Sequence, residues 1–311
     1  MVSFTPDGAY LLVANEGEPS DDYLIDPVGS VTVVSMTDFS TRTADFDDLS
    51  ALDDSVRVFG PDASIAQDLE AEYITISSDS STAWISLQEN NAIAIMDIDS
   101  AAITEVKGLG FKDHSAEGAE FDASNRDGGD ACEIPLEDPD QCIKIRNWPT
   151  FGMYQPDAIA AFNVDGTTYL ISANEGDARD YDGYTEEARV GDDEYVLDPD
   201  TFPDADELKD DAMLGRLKTT LATGDTDGDG DFDRIFSYGA RSFSIWDASG
   251  NLVFDRGIAV HWPSHRKCAI VQGSKTFLSG FFMKSTNPST SQIPYQNQYA
   301  RCVSGIESAM A

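Results

Sequence analysis

Two tetrapeptides, Ala14-Asn15-Glu16-Gly17 and Ala173-Asn174-Glu175-Gly176, set an amide and a carboxylate beside a turn-forming glycine at distant points of the chain. An Asn amide oxygen next to a Glu carboxylate is a hard, all-oxygen donor set of the kind that suits Ca²⁺. The second copy is followed by Asp177, Arg179 and Asp180, which add carboxylates and a cation able to face an anionic group. Glu16, Glu175, Asp177 and Arg179 are therefore the candidate catalytic residues, and Asn15, Glu16, Asn174 and Glu175 are candidate metal ligands. A structural reading stands beside this one. Asn side chains cap turns through the local backbone, and a duplicated hairpin repeats such a cap whether or not it has a function.

A second constellation is Asp225-Thr-Asp-Gly-Asp-Gly-Asp-Phe-Asp233. Asp225, Asp227 and Asp229 followed by Gly230 match the first half of a loop that wraps calcium with alternating carboxylates, and Asp231 and Asp233 could supply later ligands. An EF-hand would need a bidentate Glu at the twelfth position, where Phe236 stands, and flanking helices, where a strand is expected. The alternative is a solvated acidic turn. The sequence has no GxSxG, HExxH or P-loop pattern, and of its three histidines only His114 lies outside the last 54 residues. A serine triad or a His-rich zinc site is not indicated, and His114 reads as a loop anchor. Arg241, between aromatic strand residues, reads as one half of a structural ion pair.

Something must position these residues, and composition narrows what it is. The chain has 311 residues, 57 acids, 20 Lys and Arg, and a formal charge of −37. That charge repels nucleic acid and anionic membrane surfaces, so neither is expected as a partner. A hydrophobic fraction of 41% supports a folded core. No apolar run is long enough to span a bilayer, and MVSFTPDGAY lacks the basic and apolar regions of a signal peptide. The acidity fits an extracellular or salt-adapted setting. Cys132 and Cys142, ten positions apart, would form a local disulfide there. Charge changes abruptly near Arg256: residues 258–311 carry five basic residues and one acid, leaving −41 on residues 1–257. We therefore expect a domain at 1–257 and an atypical basic and polar tail at 258–311, either native or a replacement of the native continuation. The pairing of Cys268 and Cys302 in that tail is left open.

The periodicity is that of strands. VSFTPDGAYLLVANEG, YITISSDSSTAWISLQENNAIAIMDID, AIAAFNVDGTTYLISANEG and RIFSYGARSFSIWDASGNLVFD alternate apolar and polar residues around Gly and Asp turns. Helical spacing is best at 201–220, with Leu208, Met213, Leu214 and Leu217 on one side. Repeated strand-turn-strand units predict an all-β fold, a β-propeller of the WD40/YVTN-like kind, with an incomplete or atypical ring and long acidic insertions at 111–155 and 176–224. At about 40 to 45 residues per blade, four or five blades fit. Unpaired strand edges of such a ring would permit self-association.

Over residues 2–256 the segments TPDGAYLLVANEGEPSDDYLIDPVGSVTVV, GLGFKDHS, FDASNRD, IRNWPTFGMYQPDAIAAF, YLISANEGDARDYDGYTEEARV and DGDFDRIFSYGARSFSIWDASGNLVFD resemble the choice-of-anchor I domain family. The resemblance implies a secreted or surface-anchored β-propeller in a longer parent protein, with a phosphatase-like activity attributed to relatives. The expected function is then a Ca²⁺-dependent hydrolase of small-molecule esters, most plausibly phosphoric esters. The alternative is a non-catalytic, calcium-stabilised surface propeller that binds a protein or glycan.

Overall fold

The computed structural model describes residues 1–47, 52–53, 55–129, 132, 138 and 140–257, and the backbone of 260–261 and 267–268. Residues 1–257 form one compact unit. The tail beyond residue 257, with Cys268 and Cys302, lies outside the residues whose side chains are described.

The chain is almost entirely strand and turn, as the alternation predicts. The first blade is an antiparallel meander of β1 (Val2–Phe4), β2 (Tyr10–Asn15), β3 (Ser30–Ser35) and β4 (Thr41–Asp45). The second is a meander of β5 (Ile74–Ile76), β6 (Thr82–Leu87), β7 (Ala92–Asp97) and β8 (Ala102–Gly108). The third orders β11 (Ala158–Val164), β12 (Thr167–Asn174), β16 (Ser242–Asp247) and β17 (Leu252–Gly257). Strand β1 packs on β5, and β5 on β11, while β4 meets β8 farther out. First strands gathered together with later strands outside is the radial plan of a propeller.

The core explains the strand sequences. Blades 1 and 2 meet through Leu12, Val31, Val33, Ile85, Leu87 and Met96. Blades 2 and 3 meet through Trp84, Ile93, Ile159, Leu170 and Trp246. Blade 1 covers one face, so β2 alternates between buried and half-buried residues. Blade 2 is covered on both faces, so five of the six residues of β6 are buried. Two buried indole N–H groups are satisfied, Trp84 by Ala248 O at 2.9 Å and Trp246 by Ser172 Oγ at 2.8 Å.

Three expectations change. Among the described residues there are three four-stranded blades rather than four or five. The acidic insertions do not simply lie outside the sheets: they contribute short strands β9 (Phe111–Asp113), β10 (Thr150–Met153), β13 (Glu187–Arg189) and β14 (Lys218–Thr220), which join β15 (Ile235–Ser237), just beyond the second insertion. These make a separate five-stranded sheet, in which β10 and β15 run parallel. The helix expected at 201–220 shrinks to α2 (Ala205–Leu208), preceded among the described residues by the equally short α1 (Ile65–Asp68). Asp204 at its start makes no side-chain cap, and the chain turns back so tightly that a Cβ on Gly215 would lie 2.2 Å from Lys209 O. Leu208, Leu214, Leu217 and Met213 still share one core, with Tyr195 and Phe232, but successive turns bring them there. Cys132 and Cys142 are disulfide-bonded, with Cα atoms 5.7 Å apart. Among the described residues no helix is long and apolar enough to cross a membrane.

Candidate functional site

Each blade ends its second strand at the same rim, where its first strand begins. The rungs Asn15↔Ser30, Leu87↔Ala92 and Asn174↔Ser242 close the three second strands. Just past them stand Glu16, Glu89 and Glu175. The middle blade therefore supplies a third acid, in Gln88-Glu89, which the two-copy motif did not reveal. Beside the first strands stand Glu72, whose N–H pairs with Ser86 O at 3.1 Å, and Asp157, whose N–H pairs with Ala173 O at 3.2 Å.

The glycines after the outer acids are required by geometry. Gly17 and Gly176 have φ of +81° and +80°, and a Cβ there would lie 2.8 Å from Gly29 N and 2.0 Å from Gly239 N respectively. The two asparagines are spent on the sheet. Asn15 Nδ2 donates to Ser30 Oγ at 3.1 Å and Thr32 Oγ1 at 2.8 Å. Asn174 Nδ2 donates to Ser242 Oγ at 2.9 Å and Ser244 Oγ at 2.7 Å, and its Oδ1 accepts from Ser172 Oγ at 2.7 Å.

The carboxyls form a continuous electrostatic group. Glu72 and Glu89 act on one another, and burial followed by the Glu89 charge drives the Glu72 carboxyl far above the usual range. Asp157 and Glu175 act on one another likewise, with both carboxyls raised first by burial and then by neighbouring acids, Asp177 among them. Glu16 is exposed, its carboxyl raised by burial of part of its surface and by Glu18, and its charge acts on both Glu70 and Glu72. Asp177 is exposed and acts on Glu89 and Glu175. Glu89 Oε2 is sealed from solvent with no donor in reach among the described residues. Two carboxyls facing one another this way require a shared proton or a cation. The donor set is all oxygen, with no thiol or imidazole, so it fits a hard divalent ion better than zinc.

Arg179 does not face this rim as a free cation. It is 1% exposed, with Nη1 on Asp68 Oδ1, Nη2 on Asp68 O at 2.6 Å and Nη2 3.0 Å from Glu70 Oε1. Its guanidinium lies 4.5 Å from the Phe59 ring, and that of Arg57 lies 4.1 Å from the same ring while paired with Glu186. Asp68 and Glu70 lead into blade 2, whereas Arg179 and Glu186 belong to the insertion of blade 3. The network ties the two together. The sequence missed Asp68, Glu70, Glu72, Glu89 and Asp157 because their roles depend on strand register across blades.

The Asp225–Asp233 loop lies between β14 and β15. Asp225, Asp227 and Asp229 bring one oxygen each within 4.8 Å of one another, and Asp231 and Asp233 do the same with Asp198. Asp225 accepts from Gly228 N at 2.6 Å and Gly230 N at 3.0 Å, while Asp233 accepts from Thr226 Oγ1 at 2.6 Å. Burial, then Asp229 and Asp198, push Asp231 up to about 6. Phe232 fastens the loop by stacking on Tyr195 at 4.1 Å. The structure thus separates the metal candidates into the rim residues and this loop, and joins Asp198 to the latter.

Solved structures similar to the chain include Kuenenia stuttgartiensis hydrazine synthase, with 13% identity over 83% of this chain and 48% of that one and a TM-score of 0.27. U3-55K has 12% identity over 56% of this chain and 45% of that one, with a TM-score of 0.25. The Myceliophteria thermophila Cps50 (Swd1) β-propeller domain has 11% identity over 83% of this chain and 54% of that one, with a TM-score of 0.25. The matches span about half of each of those chains, and likeness at this level adds nothing to the topology above. No curated protein matches the sequence. The choice-of-anchor I domain model matches residues 1–268, and with the motifs and strand pattern already described, the chain belongs to the choice-of-anchor I domain family.

Proposed function

We propose that the rim binds a divalent cation, Ca²⁺ first, and that the domain is a calcium-dependent hydrolase of phosphoric esters. The supporting observation is that Glu72, Glu89, Asp157 and Glu175 stand at neighbouring strand ends with carboxyls all raised by burial and acting on one another, a repulsion that a cation would relieve. Among the described residues no three rim acids bring carboxylate oxygens within 4.8 Å of one another, so an ion there would be held by one neighbouring pair, Glu72 with Glu89 or Asp157 with Glu175, and completed by water or substrate; a bound Ca²⁺ would supply Lewis-acid polarisation of a phosphoryl oxygen. Glu175 is exposed and neighbours Asp157, with its carboxyl raised by burial of part of its surface and then by the Asp157 charge. This suits a group that takes a proton from water and returns it to a leaving oxygen. Arg179 acts as a positioning residue through Asp68 and Glu70. A chain of charge −37 disfavours dianionic monoesters until cations neutralise the rim, so neutral triesters and carboxylic esters belong among the substrates to be tried.

The second reading is a cation-stabilised surface propeller that binds a protein or glycan without catalysis. It is favoured by Asn174, whose amide nitrogen and oxygen are both bonded within the sheet, and by the enclosed guanidinium of Arg179. A cell-surface setting in a longer parent protein suits both readings, as does the disulfide.

The test is turnover of phosphate mono-, di- and triesters and a carboxylic ester, with excess Ca²⁺ and after EDTA. Activity lost with chelator, restored by Ca²⁺ and abolished in Glu16→Gln/Glu175→Gln is expected. No turnover, with a Ca²⁺-dependent rise in Tm, would replace the hydrolase with the binding propeller. Neither turnover nor a Tm response would remove the cation site itself.

A further inference from the structure

Away from the acidic rim, buried polar atoms without a partner gather where the five-stranded sheet meets the start of β16. His114 follows β9 and is 1% exposed. Its Nδ1 lies 2.6 Å from Ala119 O, and since a carbonyl only accepts, the ring proton sits on Nδ1. Nε2 is left as a buried lone pair with no donor among the described residues. Gly152 makes room for it: a Cβ there would lie 2.6 Å from Nε2 and 3.0 Å from Gly239 O. Thr150 lies on the same face of β10, and Ser237 stands opposite Gly152 in the β10–β15 ladder. Both are fully buried, and neither hydroxyl has a partner among the described residues.

Arg241 follows Gly239 by two residues and holds a left-handed φ of 49°, a strained choice for a long side chain. Its guanidinium lies 4.3 Å from the Phe121 ring, against which the His114 ring packs at 4.5 Å. Arg241 Nη1 is sealed and unpartnered among the described residues, and so is Asp122 Oδ1 next to Phe121. A desolvated guanidinium nitrogen is costly unless a counter-charge reaches it. The Asp122 charge acts on Arg241 but makes no ion pair with it, nor does any other acid among the described residues, and in a chain with 57 acids this points to an anion from outside. Burial holds Arg241 down to about 10 and His114 down to about 4, and pushes Asp122 up to about 6. The imidazole therefore stays neutral and accepting at pH 7.

We propose that His114, Asp122 and Arg241, backed by the hydroxyls of Thr150 and Ser237, bind a hydrogen-bearing oxyanion of the phosphate class. Arg241 takes a bare oxygen, and the Thr and Ser hydroxyls donate to others. His114 Nε2 and Asp122 Oδ1 need a hydrogen to accept, which phosphate carries at pH 7 and sulfate does not. The site therefore selects phosphate over sulfate by its acceptors. It uses none of the rim acids, and its test is independent of the cation reading.

Titration calorimetry of the full chain at pH 7 in EDTA, with inorganic phosphate, glycerol phosphate and sulfate, tests this. One phosphate per chain is expected, with sulfate at least tenfold weaker. Tighter binding of glycerol phosphate than of inorganic phosphate would identify a monoester as the ligand, and the reverse order would identify the free ion. Arg241→Asn, which tolerates the left-handed backbone, should weaken phosphate at least tenfold, and Arg241→Lys is the fallback if that variant does not fold. His114→Gln should narrow the preference over sulfate. No phosphate binding by the wild type, equal binding of phosphate and sulfate, or undiminished binding by the Arg241 variant would each overturn the proposal and leave water as the partner of these groups.

Discussion

The loops after Ala14-Asn15-Glu16-Gly17 and Ala173-Asn174-Glu175-Gly176 begin alike and end in different environments. After the first copy the chain returns to β3 through a short exposed loop, in which Ser20 Oγ donates to Asp22 at 2.7 Å. After the second it runs into the insertion, where the residue aligned with Ser20 is Arg179, buried on Asp68 and Glu70. Asn15 is half-buried, whereas Asn174 is 3% exposed. Glu175 has a carboxyl partner in Asp157, and Glu16 has no equivalent among the described residues. A duplicated motif thus conserves its local hydrogen bonds, and the surrounding insertion decides whether the next residues carry the fold or stay in solvent.

The comparison is broken most severely at the position where the copies diverge. Arg179→Ala should cost about 3–5 kcal/mol, because it strands the buried Asp68 without its cation and removes the contact to Glu70. Ser20→Ala should stay within about 0.5 to 1 kcal/mol, and urea unfolding of both measures the contrast. Comparable losses would mean that the network does not distinguish the copies. Next in size, Asn174→Ala should lose about 1–3 kcal/mol through its buried serine partners, against roughly 1 kcal/mol for Asn15→Ala.

The rim also predicts a pH dependence. Burial raises the folded Glu70 carboxyl from an ordinary value near 4.5 to about 8, with the Arg179 charge opposing the shift. Between those values the folded chain keeps a proton that the unfolded chain has released, so this group makes stability fall as pH rises through the window. Glu72 and Glu89 act in the same direction, being raised as well. Thermal unfolding in EDTA from pH 4.5 to 8 should show the decline, and Glu72→Gln should flatten it. A Tm that rises with pH in both proteins would refute the assignment. The smallest effect is expected at the exposed loop, where Asp227→Asn should shift Tm in EDTA by less than any of these changes.

Much of the blade architecture was legible. The alternation in Tyr10–Asn15 and the turn residues around it follow from which face is buried, and the repeated ANEG marked equivalent strand ends before any coordinates. The helix at 201–220 misled because leucines at helical spacing can also be gathered by consecutive turns, and Gly215 permits the reversal. Glu89 was hidden because Gln88-Glu89 resembles the other rim motifs only in register, and Asp157 because an acid before a strand is unremarkable in so acidic a chain.

By itself the sequence determined the all-β class, the hairpins, the local disulfide and the acidic character, since each depends on neighbours a few residues apart. Only the tertiary structure decided which acids meet at the rim, that Arg179 is enclosed, and that His114 and Arg241 share Phe121. Those outcomes join segments from different blades and insertions, and spacing along the chain carries no information about which of them pack together.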